Sequence, residues 1–344
     1  MSAQLRLDDA NLLEYLGKKG WIPKGGAARI EPVGDGNINW VRRVRGRAGS
    51  LVVKQARPAL ERFPEYQVST ERIVFEARFY ETVAHLDPER VCPQVVAFDP
   101  RERVLVLEDL GRAERLDAAL DRRAETAALA ATLAGFLARV HAGTRDDPEL
   151  PTRFVNDEMR GLHGDHIFLL PYRPNDFPLS PRVAERARLI QGDLDLVALI
   201  DAAYGRYREP GGALVHGDVQ ATNVLLAARG PVLLDAEICH FGDPDFDLGQ
   251  LFAHLLLPAV AAGRPGDADA ALRSAWQAYR AAAGGPDPSQ PAEALRYAGI
   301  ELLRRTIGAA RVPAVERDEA SLAVLDAGAR LVRAPSLPAL GPAE

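Results

Sequence analysis

Two apolar runs in the segment "LVHGDVQATNVLL", residues 214–226, are separated by polar residues, among them Asp218 and Asn223. Short apolar runs bounded by turn-forming residues are typical of buried strands, so these polar groups are expected at a strand junction. A third apolar run, "PVLLD", ends at Asp235. We therefore expect three strand ends to bring together an acid, an amide and a second acid.

Such a group of side chains has two chemical uses. Carboxylate and amide oxygens are ligands of Mg²⁺, a hard cation that keeps room for phosphate oxygens, and Asn223 and Asp235 are the candidates for this role. A carboxylate outside the ligand set, here Asp218, can orient an attacking hydroxyl or accept its proton. The alternative is that Asp218 and Asn223 only form a turn by hydrogen bonding to their own backbone.

Lysine is rare in this chain: of its 42 basic residues only Lys18, Lys19, Lys24 and Lys54 are Lys. Lys54 stands in the apolar strand pattern "LVVKQA", where an ammonium group could hold phosphate oxygens. Glu76, on the helix predicted next along the chain, is the expected ion partner. The alternative is a Lys on an edge strand that resists aggregation.

The segment "VGDGNIN", residues 33–39, precedes Lys54 on the same predicted hairpin. Gly34 and Gly36 would let backbone amides approach phosphates closely, with Asn37 at the tip. The pattern is not GxGxxG, and a "DGN" tip is equally a hairpin turn.

The strand pattern "VLVLEDLG", residues 104–111, ends in a polar turn. Backbone groups between Glu108 and Leu110 could bind an adenine edge. A plain strand end would have the same sequence.

The elements that must position these residues change character near residue 110. An amphipathic helix with Leu12, Leu13 and Leu16 on one side is followed by a β-β-β-α-β-β pattern, with its helix at 71–85. Later segments are Ala/Leu-rich helices, interrupted by one β-rich island at 213–235. Residues 151–180, which contain several Pro, are predicted to be an irregular loop or lid.

Length and composition favour two lobes, and we place an N-terminal nucleotide-binding lobe at 1–110 and a C-terminal catalytic and substrate-binding lobe at 111–344. With 47% hydrophobic residues, 26% charged residues and a net charge of −6, the 344-residue chain is predicted to be soluble, without a nucleic-acid or membrane partner. Neither a secretion signal nor a membrane span is apparent. Cys92 and Cys239 lack a CxxC spacing, which favours a cytoplasmic location.

The motif "HGDVQATN", followed by "LLDAE" and "FGDPDFDLG", resembles the catalytic loop and metal-binding Asp of protein kinases. The whole set resembles the aminoglycoside phosphotransferase and choline kinase superfamily of small-molecule kinases. The segments "GDGNINWVRRV", "LVVKQARPAL", "GDHIFLLPYRPN" and "ELLRRTIGAARV" are more similar to 5-methylthioribose kinase. The resemblance implies a protein-kinase-like α+β fold, with a small β-rich N-terminal lobe and a larger, mainly helical C-terminal lobe.

The resemblance also implies an ATP- and Mg²⁺-dependent kinase. Asp218 would be the catalytic base, and Lys54 would bind the phosphates. Asp235 and Glu237 would be the metal and phosphate carboxylates, and Glu237 would also face the substrate. Arg304 and Arg305 would face the substrate sugar.

The acceptor stays open, because the catalytic loop departs from the HGDLHTGS of methylthioribose kinases at Gln220 and Asn223. Methylthioribose or a related pentose is the first expectation, and an aminoglycoside, choline or homoserine is the alternative. A catalytically silent nucleotide-binding relative is a further alternative, and the choice of ATP or GTP and a homodimer are also open. His163, His166 and His240 are candidates for substrate contact.

Two acids in "FGDPDFDLG" have a predicted structural role. Asp245 and Asp247 are expected to hold the catalytic loop and to cap the helix that follows, since an acid is favourable near a helix N-terminus. His216 is expected to orient the same loop through a backbone hydrogen bond rather than to act as a base.

Overall fold

The computed structural model describes residues 4–23, 28–33, 39–47, 49–59, 67–284 and 291–340. The chain divides into two compact units. Unit 1 comprises Met1–Ala84 and Cys92–Arg112, and unit 2 comprises His85–Val91 and Ala113–Glu344.

Unit 1 is built on a five-stranded antiparallel sheet with the strand order β1-β2-β3-β5-β4. Its elements are α1 (Leu12–Lys19), β1 (Ala28–Pro32), β2 (Trp40–Gly46), β3 (Gly49–Gln55), α2 (Arg72–Val83), β4 (Val95–Asp99) and β5 (Val104–Glu108). The predicted N-terminal helix and the β-β-β-α-β-β order are confirmed. The predicted helix at 71–85 begins one residue later and ends two residues earlier than expected.

Alternation along the strands explains the core of unit 1. Val53 and Val106 are buried and belong to one apolar cluster with Leu12 and Leu16 of α1. The amphipathic pattern of α1 therefore covers one face of the sheet, and it ends at Gly20, whose left-handed backbone closes the helix.

Unit 2 is mainly helical, and, among the described residues, all but one of its short strands lie within residues 213–242. Its elements are β6 (Glu114–Arg115), α3 (Leu116–Asp121), α4 (Ala127–Thr144), α5 (Leu150–Arg153), α6 (Asp157–Gly164), α7 (Pro181–Gln191), α8 (Leu194–Arg208), β7 (Ala213–Val215), β8 (Val224–Ala227), β9 (Gly230–Leu233), β10 (His240–Gly242), α9 (Pro244–Ala261), α10 (Asp269–Ala283), α11 (Ala292–Ile307) and α12 (Asp318–Arg333).

Helices α9 and α11 lie at the centre of unit 2, and most of their residues are buried. Gly249 sets their close approach, because a Cβ at this position would lie 2.5 Å from the carbonyl oxygen of Ala294. The first turn of α9 and the last turn of α11 carry the charged residues described below.

The β-rich island divides into two small sheets. Strand β7 pairs with β10, whereas β8 pairs with β9 and with β6. The three predicted strands are thus present, but the first belongs to a different sheet from the other two. The polar segment between β7 and β8 connects the two sheets.

The prediction of an irregular loop at 151–180 is wrong for most of that range. The chain forms α5 and α6, a π-helical turn at Asp165–Leu169 and a 3-10 turn at Leu170–Tyr172, and within this range only 154–156 and 173–180 are irregular. Pro151 and Pro171 stand in first turns, where a missing N–H breaks no helical hydrogen bond. Ile167 and Phe168 are buried in the core, so this segment is part of the packed unit.

Within the described ranges, no helix is both long enough and apolar enough to cross a lipid bilayer. Cys92 and Cys239 are buried and form no disulfide.

Candidate active site

The polar loop at residues 216–223 is fixed by the first turns of α9. The carboxylate of Asp247 accepts hydrogen bonds from the backbone N–H groups of His216 (2.7 Å) and Gly217 (2.8 Å). Gln250, one turn further on, accepts from the N–H of Val219 at 2.8 Å. The prediction that Asp247 holds this loop is therefore confirmed.

Asp247 has no exposed side-chain surface, and His141 Nε2 lies 3.3 Å from its Oδ2. Burial alone would raise the pKa of this carboxyl, but the hydrogen bond and charge of His141, with help from Gly217 N–H, hold it below the usual value. Asp247 thus stays ionised and keeps its backbone partners.

The start of α9 differs from the prediction in two details, the capping residue and the role of Asp245. Asp243 caps α9 by accepting from the N–H of Asp245, so neither Asp245 nor Asp247 is the cap. Asp245 lies 3.4 Å from Arg206 and makes no hydrogen bond to the loop among the described residues. The cap is the acid before Pro244 because a proline favours the first helical position.

Asp218 lies at the open side of the loop, with 14% of its side chain exposed. Its Oδ2 accepts hydrogen bonds from Asn223 Nδ2 and Gln220 Nε2, both at 2.8 Å. The predicted pairing of acid and amide is present. Asp218 and Asn223 do form a turn, but their side chains bond to each other rather than only to the local backbone.

Burial raises the pKa of Asp218 to about 6, although Arg305, Arg304 and the two amide hydrogen bonds oppose this shift. His163 Nε2 lies 3.9 Å from Asp218 Oδ1, beyond hydrogen-bonding distance. The carboxylate therefore has one oxygen held by two amides and a second oxygen facing a buried imidazole.

Asn223 and Asp235 are neighbours through the mouth of the β8–β9 hairpin. The N–H of Leu234 donates to the carbonyl oxygen of Asn223 at 2.8 Å. Asp235 adopts a left-handed backbone conformation, with φ of 63°. This uncommon conformation ends the strand and starts the short turn that carries Glu237.

The turn after Asp235 packs directly on the polar loop. Gly217 has φ of 82°, and a Cβ there would lie 2.7 Å from the carbonyl oxygen of Ile238. Asn156 Nδ2 donates to the carbonyl oxygens of Glu237 (2.9 Å) and Cys239 (3.1 Å). Residue 217 must therefore be glycine, because of its positive φ and because of the close approach of Ile238. The contacts of Asn156, the residue before α6, hold the turn in place.

The donor set on these two segments fits Mg²⁺. Asn223 uses its NH₂ group for Asp218, which leaves its amide oxygen as the ligand atom. Together with the carboxylates of Asp235 and Glu237 it supplies only oxygen ligands, as a hard cation prefers.

Arg304 and Arg305 are buried at the end of α11, both 6% exposed. Glu301 accepts from Arg304 Nη1 (2.8 Å) and from Arg305 Nε (2.6 Å). Arg305 Nη2 also donates to Gln220 Oε1 at 2.7 Å, so the pair is linked to Asp218 through one side chain.

Glu301 was not among the predicted site residues. Burial alone would raise its pKa, but Arg304 and Arg305 hold it well below the usual value. Its spacing of three and four residues before the two arginines is the signal that could have identified it.

Unlike His163, the other two candidate histidines, His166 and His240, contact backbone carbonyl oxygens outside the polar loop. His166 Nδ1 contacts the carbonyl oxygen of Leu162 at 2.9 Å. His240 packs edge-on against Tyr207, and its Nδ1 contacts the carbonyl oxygen of Ile238 at 2.9 Å. His216 contacts its own loop, where Nδ1 lies 3.3 Å from the N–H nitrogen of Asp218, as expected.

Lys54 lies on β3, the central strand of unit 1, paired with Val41 and Leu105. The edge-strand alternative is therefore wrong. The predicted ion pair is present: Lys54 Nζ lies 2.8 Å from Glu76 Oε2, and both side chains are buried. Tyr80 donates to the other oxygen of Glu76 at 3.1 Å, which fixes the carboxylate on α2.

The remaining predicted nucleotide contacts are only partly described. Gly34, Gly36 and Asn37 lie outside the described residues. Glu108 ends β5, where its N–H donates to the carbonyl oxygen of Gln94 at 3.0 Å and its Oε1 accepts from the N–H of Gln94 at 2.8 Å. Leu110 follows as a half-buried residue.

A family profile and curated relatives match this chain. The profile of the phosphotransferase enzyme family matches residues 29–288. The methylthioribose kinase of Pectobacterium atrosepticum is 29% identical, over 95% of this chain and 93% of its own length. That of Bacillus cereus is 27% identical, over 74% of this chain and 67% of its own length.

Solved structures agree on the fold. Choline kinase from Cryptosporidium parvum has a TM-score of 0.58 at 15% identity, covering 96% of this chain and 98% of its own. Spectinomycin phosphotransferase in complex with ADP and spectinomycin has a TM-score of 0.52 at 12% identity, covering 94% and 98%.

The family match and the curated relatives indicate a small-molecule phosphotransferase, and the solved structures show a protein-kinase-like fold. The chain belongs to the phosphotransferase enzyme family.

Proposed function

We propose that this phosphotransferase is an ATP- and Mg²⁺-dependent kinase that phosphorylates a hydroxyl of methylthioribose or a related 5-substituted pentose. The observation that carries the proposal is the Asp218 carboxylate, held by Asn223 and Gln220 and linked through Gln220 to a buried arginine. The matches to curated methylthioribose kinases support the choice of acceptor.

In the acceptor half of the reaction, Asp218 orients the hydroxyl and accepts its proton. A pKa of about 6 suits this role, because the carboxylate is ionised at neutral pH and is more basic than an ordinary aspartate. Glu237, Arg304 and Arg305 are the other acceptor-binding residues of the proposal.

In the metal site, Asn223, Asp235 and Glu237 would hold Mg²⁺. The metal would neutralise charge on the phosphate oxygens, which is the main electrostatic demand of phosphoryl transfer. The left-handed backbone at Asp235 and the Asn156 contacts to the following turn keep the two carboxylates in place.

In the donor half, Lys54 holds the phosphates of ATP and Glu76 fixes its ammonium group, as their buried ion pair supports. Gly34, Gly36 and Asn37 would add backbone contacts to the phosphates, and Glu108 and Leu110 would contact the adenine. Lys54→Met should raise the KM for ATP and lower kcat, because the cation that meets the phosphates is lost. A variant with wild-type kinetics would contradict this part.

The charges beside Asp218 favour a neutral, hydroxyl-rich acceptor. Arg304 and Arg305 carry two positive charges and Glu301 one negative charge, so this buried cluster has one excess positive charge, which balances the carboxylate of Asp218. With the charges of Asp235 and Glu237 offset by the proposed Mg²⁺, no net negative charge is left to attract a polycationic aminoglycoside or the quaternary ammonium of choline. Homoserine is a zwitterion without net charge, so the charges of the site disfavour it less than choline or an aminoglycoside.

The test is coupled detection of the released diphosphate, ADP from ATP or GDP from GTP, with methylthioribose, ribose, choline, homoserine and an aminoglycoside as acceptors. We expect turnover with methylthioribose and ATP, and none with choline or the aminoglycoside. Turnover with an aminoglycoside alone would overturn the acceptor and leave the phosphotransferase chemistry. If no acceptor of the panel gives ADP release while the nucleotide still shifts the Tm, a catalytically silent relative would be favoured.

The partners of the proposal are a nucleotide and a small hydroxyl-bearing acceptor, without nucleic acid or membrane. A homodimer and a cytoplasmic location stay predictions from the sequence.

A further inference from the structure

Gln220 spans the space between a carboxylate and a guanidinium. Its Nε2 donates to Asp218 Oδ2 at 2.8 Å, and its Oε1 accepts from Arg305 Nη2 at 2.7 Å. Its backbone carbonyl accepts from the N–H of Asn223 at 2.9 Å, which fixes the start of the side chain. Both ends of the carboxamide are therefore used.

Only a group with one donor and one acceptor can make this bridge. A carboxylate accepts and cannot donate, while a guanidinium donates and cannot accept. The carboxamide of Gln220 meets both demands in one orientation only, with its NH₂ toward Asp218. Glutamate would offer two acceptors and leucine would offer neither, whereas a neutral imidazole again has one donor and one acceptor.

The far end of the bridge is rigid. Arg305 Nε donates to Glu301 at 2.6 Å, and Glu301 also holds Arg304. All three side chains are buried on one turn of α11. The bridge thus connects the carboxylate of Asp218 to a fixed point in the helical core.

Asp218 needs such a connection, because the terminal torsion of an aspartate is broad and does not fix its two oxygens. Asn223 also holds Oδ2, but its amide oxygen is assigned above to the metal. Gln220 is the contact to Oδ2 without a second duty in the proposed chemistry.

We propose that Gln220 is a positioning residue that fixes Asp218 Oδ2 against Arg305 and leaves Oδ1 to the acceptor hydroxyl. The inference rests on the proposed role of Asp218. It makes the base and the acceptor-binding arginine one unit, so that an acceptor aligned on Arg305 is also aligned with Oδ1.

Three substitutions test the bridge by its hydrogen-bonding groups: Gln220→Leu removes both, Gln220→Glu keeps only the acceptor, and Gln220→His restores both. Thr222→Ala is the matched control, since Thr222 is exposed in the same loop. The acceptor in the assay is methylthioribose or, if the panel gives another, the one with the fastest turnover. ADP release without acceptor and the Tm are measured for every variant.

We expect kcat to fall about 10- to 100-fold in Gln220→Leu and at least as much in Gln220→Glu, because a misplaced base costs alignment. The KM for ATP should stay within about two-fold of wild type, and the Tm within about 2 °C. Gln220→His should recover most of the lost kcat, and Thr222→Ala should be unchanged. In Gln220→Leu combined with Arg305→Lys, the loss should be smaller than the product of the single losses, because both break the same bridge.

Wild-type kcat in Gln220→Leu would overturn the inference. A parallel fall of kcat and Tm without recovery in Gln220→His would also overturn it, because that pattern indicates a purely structural contact. Asp218→Asn separates the two hypotheses. If Asp218→Asn is inactive and Gln220→Leu is fully active, the proposed function stands and the bridge falls; if Asp218→Asn is active, both fall.

Discussion

Asp218 belongs to the polar loop at residues 216–223 and Asp247 holds that loop, yet their surroundings shift the pKa of the two carboxyl groups in opposite directions. On the reactive side, formed by Asp218, Gln220 and Asn223, two neutral amides bind one oxygen and the pKa of the acid is raised to about 6 by burial. On the anchoring side, Asp247 is fully buried, but two backbone N–H groups and His141 hold its pKa below the usual value.

The difference shows that burial alone does not decide the state of an acid. Direct donors with positive charge or backbone dipoles compensate Asp247, so it is a stable anchor. Asp218 is less compensated, which makes it basic enough to bind a hydroxyl proton. The reactive side should therefore control turnover and the anchoring side should control stability.

The largest expected effect is on the reactive side. Asp218→Asn keeps the shape of the side chain and removes the base, so kcat should fall about 10³-fold or more in the coupled assay. The Tm should change little or rise, because the buried charge is gone. Turnover within ten-fold of wild type would contradict the role of Asp218 on this side.

The anchoring side should show the reverse pattern. Asp247→Asn has one acceptor oxygen for two backbone N–H groups, so one buried donor loses its partner. We expect a loss of about 2–4 kcal/mol in the free energy of unfolding, measured by urea denaturation. Some turnover should remain in the folded fraction, because the base itself is intact.

Asp245→Asn is the matched control for this change, two residues earlier in α9. Burial and the neighbouring Asp243 raise the pKa of Asp245 to about 6, so its charged form is disfavoured in the fold. Removing the charge should leave stability at pH 8 unchanged or slightly higher. Equal losses in the two variants would show that the anchoring role of Asp247 is not specific.

The sequence predicts several of the candidate site residues because their signals are local. Asp218, Asn223 and Asp235 stand at the ends of short apolar runs, and Lys54 stands in an alternating strand of an Arg-rich chain. Glu76 was found as its partner from the helix that follows. In each case neighbouring residues carry the pattern, and the structure confirms the predicted contacts of Asp218 with Asn223 and of Lys54 with Glu76.

The contacts that the sequence did not predict join distant residues. Gln220 and Arg305 are 85 positions apart, and no periodicity relates them. The local pattern of prolines predicts a loop at 151–180, whereas Pro151 and Pro171 occupy the first turns of helical segments. Tertiary packing of Ile167 and Phe168 decides that segment, and packing is not visible in a local pattern.

The smallest expected effect extends the comparison to a third buried titratable group, through the pH dependence of stability. His240, on the strand β10 that pairs with β7, is buried against Tyr207. Burial, and next the charge of Arg160, lower its pKa from 6.5 to about 4. Above pH 6.5 neither the folded nor the unfolded state binds this proton, and between pH 6.5 and 4 only the unfolded state gains it. Stability should therefore fall as the pH is lowered.

Between pH 7 and pH 5 this single group should account for about 2 kcal/mol of the lost free energy of unfolding. His240→Gln should remove that part of the pH dependence in urea denaturation, whatever its effect at pH 7. His85→Gln, at an exposed histidine of the same unit, should keep the wild-type dependence. Identical pH dependence of the free energy of unfolding in wild type and His240→Gln would contradict this prediction. It would mean that His240 is protonated as readily in the folded state as in the unfolded state, so that burial against Tyr207 does not disfavour its charge.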